Sequence, residues 1–231
     1  MIIGGLQKLT LIDYPDKIAC TVFLAGCNFR CPFCYSSELV LPEKIEKQLK
    51  IPETEFFDFL KSRKGLLNGC VLCGGEPTVN KDLPEFVRKI KKLGYEVKLD
   101  TNGSNPEMLQ QLIQEKLIDY VAMDIKAPKE KYSQAAGVDI DVNKIQQSIT
   151  ILKENKVDYE FRTTIVPSVQ SRADIIEMAK WIKGAQKYYL QNFRAEKTLD
   201  PKFEEIATNS DEYLSGIIKE ISPFFEICKV R

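Results

Sequence analysis

Three cysteines fall within one short run, Cys27-Asn28-Phe29-Arg30-Cys31-Pro32-Phe33-Cys34. Thiolates at this spacing can curl around a single cubane iron–sulfur cluster, whose full complement is four thiolates. The other cysteines are Cys20, Cys70, Cys73 and Cys228, and none of them stands in the loop. Three local ligands leave one iron without a protein thiolate, an open position of the kind a catalytic zinc keeps for its substrate. A zinc loop, or three unconnected buried thiols, is the plainer alternative. Cys70 and Cys73 form a second Cys-x-x-Cys, but residues three apart on a strand point to opposite faces. That argues against a second metal site and against a disulfide oxidoreductase. Cys20 and Cys228 read as small buried hydrophobes.

The rest of the polar chemistry is clustered as well. The chain has no histidine, which excludes Ser-His-Asp and Cys-His hydrolases and every His-ligated metal site. Gly74-Gly75-Glu76-Pro77 reads as a tight turn, or as a place where a ligand's amino and carboxylate groups lie directly against the backbone. Asp100-Thr101-Asn102-Gly103 and Asp124-x-Lys126 bring together two carboxylates, a hydroxyl and an amine. Carboxylates and a hydroxyl suit a hard cation, and a lysine suits a carboxylate. The alternatives are a turn capped by Asp100, shaped by Asn102 and Gly103, and an Asp124–Lys126 ion pair. Arg162 is a lone charge in an apolar run, open to a rim carboxylate or to a ligand carboxylate.

These residues sit where strands end. Strand-like runs cover 18–24, 69–73, 95–100, 119–125, 157–166 and 187–191, and 225–231 can add one more. Amphipathic helical stripes cover 82–94, 105–117, 141–155, 171–183 and 209–221. Asp82, Asn105 with Pro106, and Asp141 are the expected helix starts, and Gly94 the left-handed stop. Strand–helix alternation implies a parallel sheet with right-handed crossovers. Six units are too few to close an eight-fold barrel, so the fold is α/β, a partial (β/α)6 TIM-like barrel or a doubly wound sheet. In a parallel barrel the carboxyl ends of the strands converge on one rim, where active sites form. The cysteine loop, the Gly-Gly turn, the Asp-Thr-Asn-Gly turn and the Asp-x-Lys segment all fall on that rim.

With these pieces in place the chain resembles the radical S-adenosylmethionine (SAM) enzymes. Asp13-Tyr14-Pro15, Val22-Phe23, Gly26-Cys27-Asn28-Phe29, Cys31-Pro32-Phe33-Cys34, GGEP, DTNG and MDIK look like the glycyl-radical-enzyme activating proteins, most of all those of anaerobic ribonucleoside-triphosphate reductase. The resemblance runs from GGLQKLTLIDYPDKI to YYLQNFR. It implies the partial barrel, a 4Fe–4S cluster on Cys27, Cys31 and Cys34, and SAM on the open iron. It also implies SAM contacts from Phe33, Gly74, Gly75, Glu76, Thr101, Asn102 and Lys126, and a monovalent cation held by Asp100, Thr101 and Asp124. The implied partners are a glycyl radical enzyme, namely the anaerobic ribonucleotide reductase, and a one-electron donor such as flavodoxin or ferredoxin. The family often carries Gly where this chain has Asp16, and a different pair where it has Tyr35-Ser36.

Composition sets the frame. The chain has 231 residues, with 33 Lys plus Arg against 33 Asp plus Glu. A balanced charge gives no general pull toward nucleic acid or an anionic membrane, and no run is apolar enough to span a bilayer. Seven cysteines with no secretion signal point to a reducing compartment, the cytoplasm. The expected organisation is one domain over 1–231: a hairpin extension at 1–17, a barrel core at 18–191, and a connection, helix and strand at 192–231. Arg194 to Lys197 in that connection reads as a solvated face, or, being on the active rim, as a contact for a partner. Two other readings remain: a radical SAM enzyme acting on a small molecule, as in deazaguanine synthesis, and an iron–sulfur electron carrier with no SAM.

Overall fold

A computed structural model describes residues 1–231, built around one eight-stranded sheet with its strands in chain order. They are β1 (Ile3–Thr10), β2 (Ala19–Leu24), β3 (Gly69–Gly74), β4 (Glu96–Thr101), β5 (Tyr120–Asp124), β6 (Asp158–Ile165), β7 (Lys187–Asn192) and β8 (Ile227–Val230). β1 runs antiparallel to β2, and every later neighbour runs parallel. β1 and β8 are not paired with each other, so the architecture is a partial TIM-like barrel open along one side. The hairpin does not close inside residues 1–17. Those residues supply one strand, and its hairpin partner is β2, with Leu6 opposite Val22 and Thr10 opposite Ala19.

The helices are α1 (Ser37–Val40), α2 (Pro42–Lys47), α3 (Glu53–Ser62), α4 (Leu83–Lys92), α5 (Pro106–Gln114), α6 (Tyr132–Ala136), α7 (Val142–Lys153), α8 (Arg172–Trp181) and α9 (Asp211–Ile221). Local chemistry explains most of their ends. Asn105 Oδ1 accepts from Met108 N, Asp141 Oδ1 from Asn143 N, and Ser171 and Asp174 close a reciprocal capping box. Gly94 ends α4 at φ +93. Asp82 departs from expectation. Its side chain makes no cap bond, and its carboxylate takes the Met1 ammonium at 2.7 Å instead.

The two sheet faces divide the work. Cys20, Val22, Leu24, Cys70, Leu72, Val97 and Leu99 face the helices in the main core, with Phe86, Val87 and Ile90 of α4. Val71 and Tyr120 face inward with Tyr14 and Ala19 in a small plug. Beyond the plug the inward positions turn polar, giving Lys98, Asp100, Asp124, Glu160 and Arg162. Cys70 and Cys73 thus lie on opposite sides of β3, one in the core and one on the cavity wall.

Candidate active site at the strand ends

The rim holds a cavity of about 250 Å³. The thiols of Cys27, Cys31 and Cys34 line it, together with Phe33, Gly74, Gly75, Glu76, Asp100, Thr101, Asn102, Asp124, Lys126 and Arg162. Every residue expected at the site therefore reaches one space. The cysteine loop is held by its own residues. Arg30 NH1 donates to the carbonyls of Cys27 and Phe29, each at 2.7 Å, and Arg30 N donates to Ala136 O at the end of α6 at 2.7 Å. Gly137 closes that contact at φ +69, and a Cβ there would lie 2.1 Å from Arg30 O. Burial pushes the Cys27 thiol up to about 12 and Cys31 to about 11, and it raises Cys34 too.

The Gly-Gly turn is glycine for a reason internal to the protein. Gly75 N donates to Leu24 O and Glu76 N to Gly26 O, both at 2.8 Å. A Cβ on Gly74 would stand 2.5 Å from Leu24 O, and one on Gly75 would stand 2.1 Å from Gly26 O. The obstacle at Gly75 is the backbone just before Cys27. Of the two readings of these glycines, the tight turn is the one their backbone contacts require.

Glu76 is a brace between turns. Its Oε1 accepts from Thr78 N at 3.1 Å, Thr78 Oγ1 at 2.5 Å and Thr101 Oγ1 at 2.8 Å, and its Oε2 accepts from Asn102 N at 2.6 Å. Burial raises its pKa, and the four donors oppose that rise. Asn102 Nδ2 donates to Asn28 Oδ1 at 3.0 Å, and Asn28 Nδ2 donates to Ser104 Oγ at 2.8 Å. The cysteine loop, the GGEP turn and the DTNG turn thus form one hydrogen-bonded unit.

The charges form a second unit. Arg162 bridges Asp100 and Asp124, Lys98 pairs with Asp100, and Lys126 pairs with Asp124 at 2.9 Å. For Asp124, burial alone would raise the carboxyl, but Lys126 and Arg162 prevail and hold it at about 2. Lys98 is almost wholly buried, a strand lysine whose inward position had no sequence signal.

A strap from the C-terminal connection crosses the loop. Asp200 N donates to Pro32 O at 2.9 Å, Arg194 N donates to Tyr35 Oη at 2.8 Å, Tyr35 stacks on Phe193, and Lys197 pairs with Glu38. Phe33 packs on Phe203 of the same strap, with ring centroids 6.3 Å apart. Beside the first cavity lies a lumen of about 960 Å³, reaching from Ile12 and Asp13 to Arg194 and Arg231. Tyr35, Asp100, Arg162 and Thr164 line both spaces.

Residues 21–182 match the family model of the Radical SAM superfamily. The chain belongs to the radical SAM superfamily. A protein of Methanocaldococcus jannaschii, provisionally named a glycyl-radical enzyme activating enzyme, is 35% identical across 100% of this chain and 95% of its own. A domain of pyruvate-formate lyase-activating enzyme from Bacteroides vulgatus superposes with TM-score 0.55 at 16% identity, covering 69% of this chain and 98% of the other. Streptococcus suis SuiB bound to S-adenosylmethionine gives TM-score 0.65 at 14% identity, over 90% and 51%. The protein is a radical SAM enzyme, homologous to glycyl-radical enzyme activating enzymes, and its cofactors are a 4Fe–4S cluster and SAM.

The donor set fits that cluster. Three free thiols line one cavity beside the half-buried Gly-Gly turn. No three His, Cys, Asp or Glu side chains are spaced to share one metal ion, as a zinc loop would require. A cubane takes each thiolate on a different iron. The monovalent-cation set fits less well, because each oxygen of Asp100 and Asp124 already faces an N–H donor. Asn28, Arg30, Tyr35 and Lys98 were not legible as site residues. For Tyr35 the cue was its departure from the family pattern directly after Cys34.

Proposed function

We propose that the protein forms a glycyl radical on a partner enzyme, and that this partner is anaerobic ribonucleoside-triphosphate reductase. In this reading Cys27, Cys31 and Cys34 hold the cluster. Gly74, Gly75, Glu76, Thr101, Asn102 and Lys126 hold SAM, with Phe33 beside it. A cluster held there, reduced by a one-electron donor such as flavodoxin or ferredoxin, would supply the electron for SAM cleavage, and SAM would supply the radical chemistry that removes the hydrogen atom from a glycine Cα. The chain's own residues bind and orient. Lys126 brings a positive charge to the cavity for the SAM carboxylate. The Glu76 and Asn28–Asn102 bonds fix the two turns against the cluster loop, so the ligand meets preformed backbone. Phe29 and Phe33, both buried on the cavity wall, keep water from the reacting atoms.

The observation that carries the reading is the shared wall of the two cavities. The cavity at the Gly-Gly turn and the lumen share Tyr35, Asp100, Arg162 and Thr164 in their linings. The lumen lies along the unpaired side of the sheet, where an extended polypeptide segment can enter sideways. The motif resemblance along the chain supports the reductase as the partner. The seven free thiols support a cytoplasmic location. The test is to mix the reconstituted enzyme, SAM and dithionite with candidate glycyl radical enzymes and record electron paramagnetic resonance spectra. A stable doublet should appear with the anaerobic reductase, and it should narrow when that partner carries α-deuterated glycine. SAM turnover driven by a small heterocycle, with no protein radical, would favour the small-molecule reading.

A further inference from the structure

The two carboxylates assigned by resemblance to a monovalent cation are already occupied by side chains of the protein itself. Arg162 NH1 donates to Asp100 Oδ2 and its Nε to Asp124 Oδ1, both at 3.0 Å. Asp100 Oδ1 accepts from Lys98 Nζ, and Asp124 Oδ2 accepts from Lys126 Nζ at 2.9 Å. Thr101, the third expected ligand, donates its hydroxyl to Glu76 Oε1 at 2.8 Å and accepts from Gly103 N at 3.1 Å. A hard cation binds through several oxygens in direct contact, and here each of those oxygens meets an N–H or is engaged elsewhere. Three side-chain cations already face two carboxylates, so a metal ion would add a fourth positive charge to a set that carries an excess of one.

The strand register explains how one arginine reaches both acids. Arg162 on β6 is the register partner of Asp124 on β5, and Asp100 on β4 is the register partner of Ala122 on β5. Ala122 is the small residue at the inward position between them, leaving room for the guanidinium to span the gap. A guanidinium presents separate N–H groups in a fixed planar fork and can serve two carboxylates at once, which a lysine ammonium does less well.

We propose that Arg162 is the built-in cation of this site, and that the enzyme binds SAM without a monovalent metal ion. Its guanidinium bridges Asp100 and Asp124 from a fixed position and, with Lys98 and Lys126, neutralises both. Arg162 is thereby a positioning residue, acting through the two aspartates and Lys126. The proposal rests on the reading of this cavity as the SAM site.

The test measures SAM affinity of the anaerobically reconstituted enzyme by equilibrium dialysis, at constant ionic strength, in potassium, sodium and tetramethylammonium chloride. Wild type should bind SAM equally in all three. A loss of about tenfold or more in tetramethylammonium would overturn the proposal. Arg162→Gln opens the notch, and its SAM affinity should become about tenfold stronger in potassium than in tetramethylammonium. Equal binding by Arg162→Gln in every salt, whether as tight as wild type or absent, would also overturn it. Absence throughout would make the arginine a direct SAM contact. Thallium NMR on the cluster-free protein needs no SAM and gives an independent reading. Wild type should show no bound thallium that potassium displaces, and Arg162→Gln should show it. If wild type binds no SAM in any salt, the SAM-site reading fails, while the thallium arm still reports whether the notch takes a cation. If Arg162→Gln does not fold, the wild-type dialysis and thallium results decide alone.

Discussion

Gly75→Ala gives a sharp trial of the backbone clamp beneath the site. The added methyl would lie 2.1 Å from Gly26 O and 2.7 Å from Gly26 C, where about 3.0 Å is the closest that real Cβ atoms come. The obstacle is backbone, so relief requires parting the two turns by about 1 Å, an overpacking that costs about 1–3 kcal/mol. Parting them strains the Glu76 N to Gly26 O and Gly75 N to Leu24 O bonds, both 2.8 Å, at about 1 kcal/mol each. The expected loss is about 3–5 kcal/mol, a large share of the 5–15 kcal/mol that holds a domain together. Because Gly26 immediately precedes Cys27, iron loading should fall along with SAM affinity. The assay is urea unfolding of the cluster-free protein, followed by iron and sulfide content after reconstitution. Gly216→Ala is the control: it lies within α9, its nearest neighbour is the flexible end of Arg172, and it should be neutral or stabilise by up to ~1 kcal/mol. A Gly75→Ala protein within ~0.5 kcal/mol of wild type, with full iron and normal SAM affinity, would refute the clamp.

Replacing Cys27, Cys31 or Cys34 by Ala should abolish the cluster absorbance after reconstitution, whereas Cys70→Ala and Cys73→Ala should retain it. Tyr35→Ala should release the strap, read as faster proteolysis between residues 192 and 207, because it removes both the bond to Arg194 N and the stack on Phe193. Asp16 holds φ +59, a conformation that costs a non-glycine residue about 1–2 kcal/mol, so Asp16→Gly should raise the urea midpoint. Asp124 is depressed from 3.8 to about 2, which at 1.36 kcal/mol per pH unit stabilises the fold by about 2 kcal/mol. With its folded pKa below its unfolded one, this contribution is present above pH 3.8 and is lost as pH falls toward 2. Acid titration of the cluster-free protein should show the corresponding slope, and Asp124→Asn should lack it.

Those outcomes bear on how far the sequence alone could go. Period-two and helical stripes located β2 to β8 and five helices, because each carries a regular apolar face against the core. α1 and α2 are single short turns, and α3 buries too few residues to show a stripe. In α3 only Phe56 and Leu60 are buried, a stripe of two positions that fixes no helical period. The four expected clusters of rim chemistry converge because strand ends in a parallel sheet share one edge, a consequence of topology and not of any single motif. What stayed hidden was long-range pairing. Lys98 in β4 reads as an ordinary strand residue until Asp100 and Arg162 are beside it. Arg162 had two readings from sequence, and the pairing with rim carboxylates is the one observed, with two acids in place of one. Asp16 shows the converse. It departs from a family glycine, and its left-handed backbone supplies the physical reason glycine is favoured there.

The strap also has a consequence for how the protein is made. The Tyr35–Arg194 and Glu38–Lys197 contacts each join positions 159 residues apart. The cysteine loop therefore leaves the ribosome well before the segment that covers it. At about 5–20 residues per second the delay is roughly 10–30 s. Throughout that interval the three thiols are bare on a nascent chain, open to oxidants and stray metal ions and also to whatever machinery delivers iron and sulfide. In this window Asp200 and Phe203 have not yet settled on Pro32 and Phe33. A finished chain is loaded with residues 192–207 already fastened on Pro32, Phe33 and Tyr35, so Tyr35→Ala should reconstitute faster than wild type.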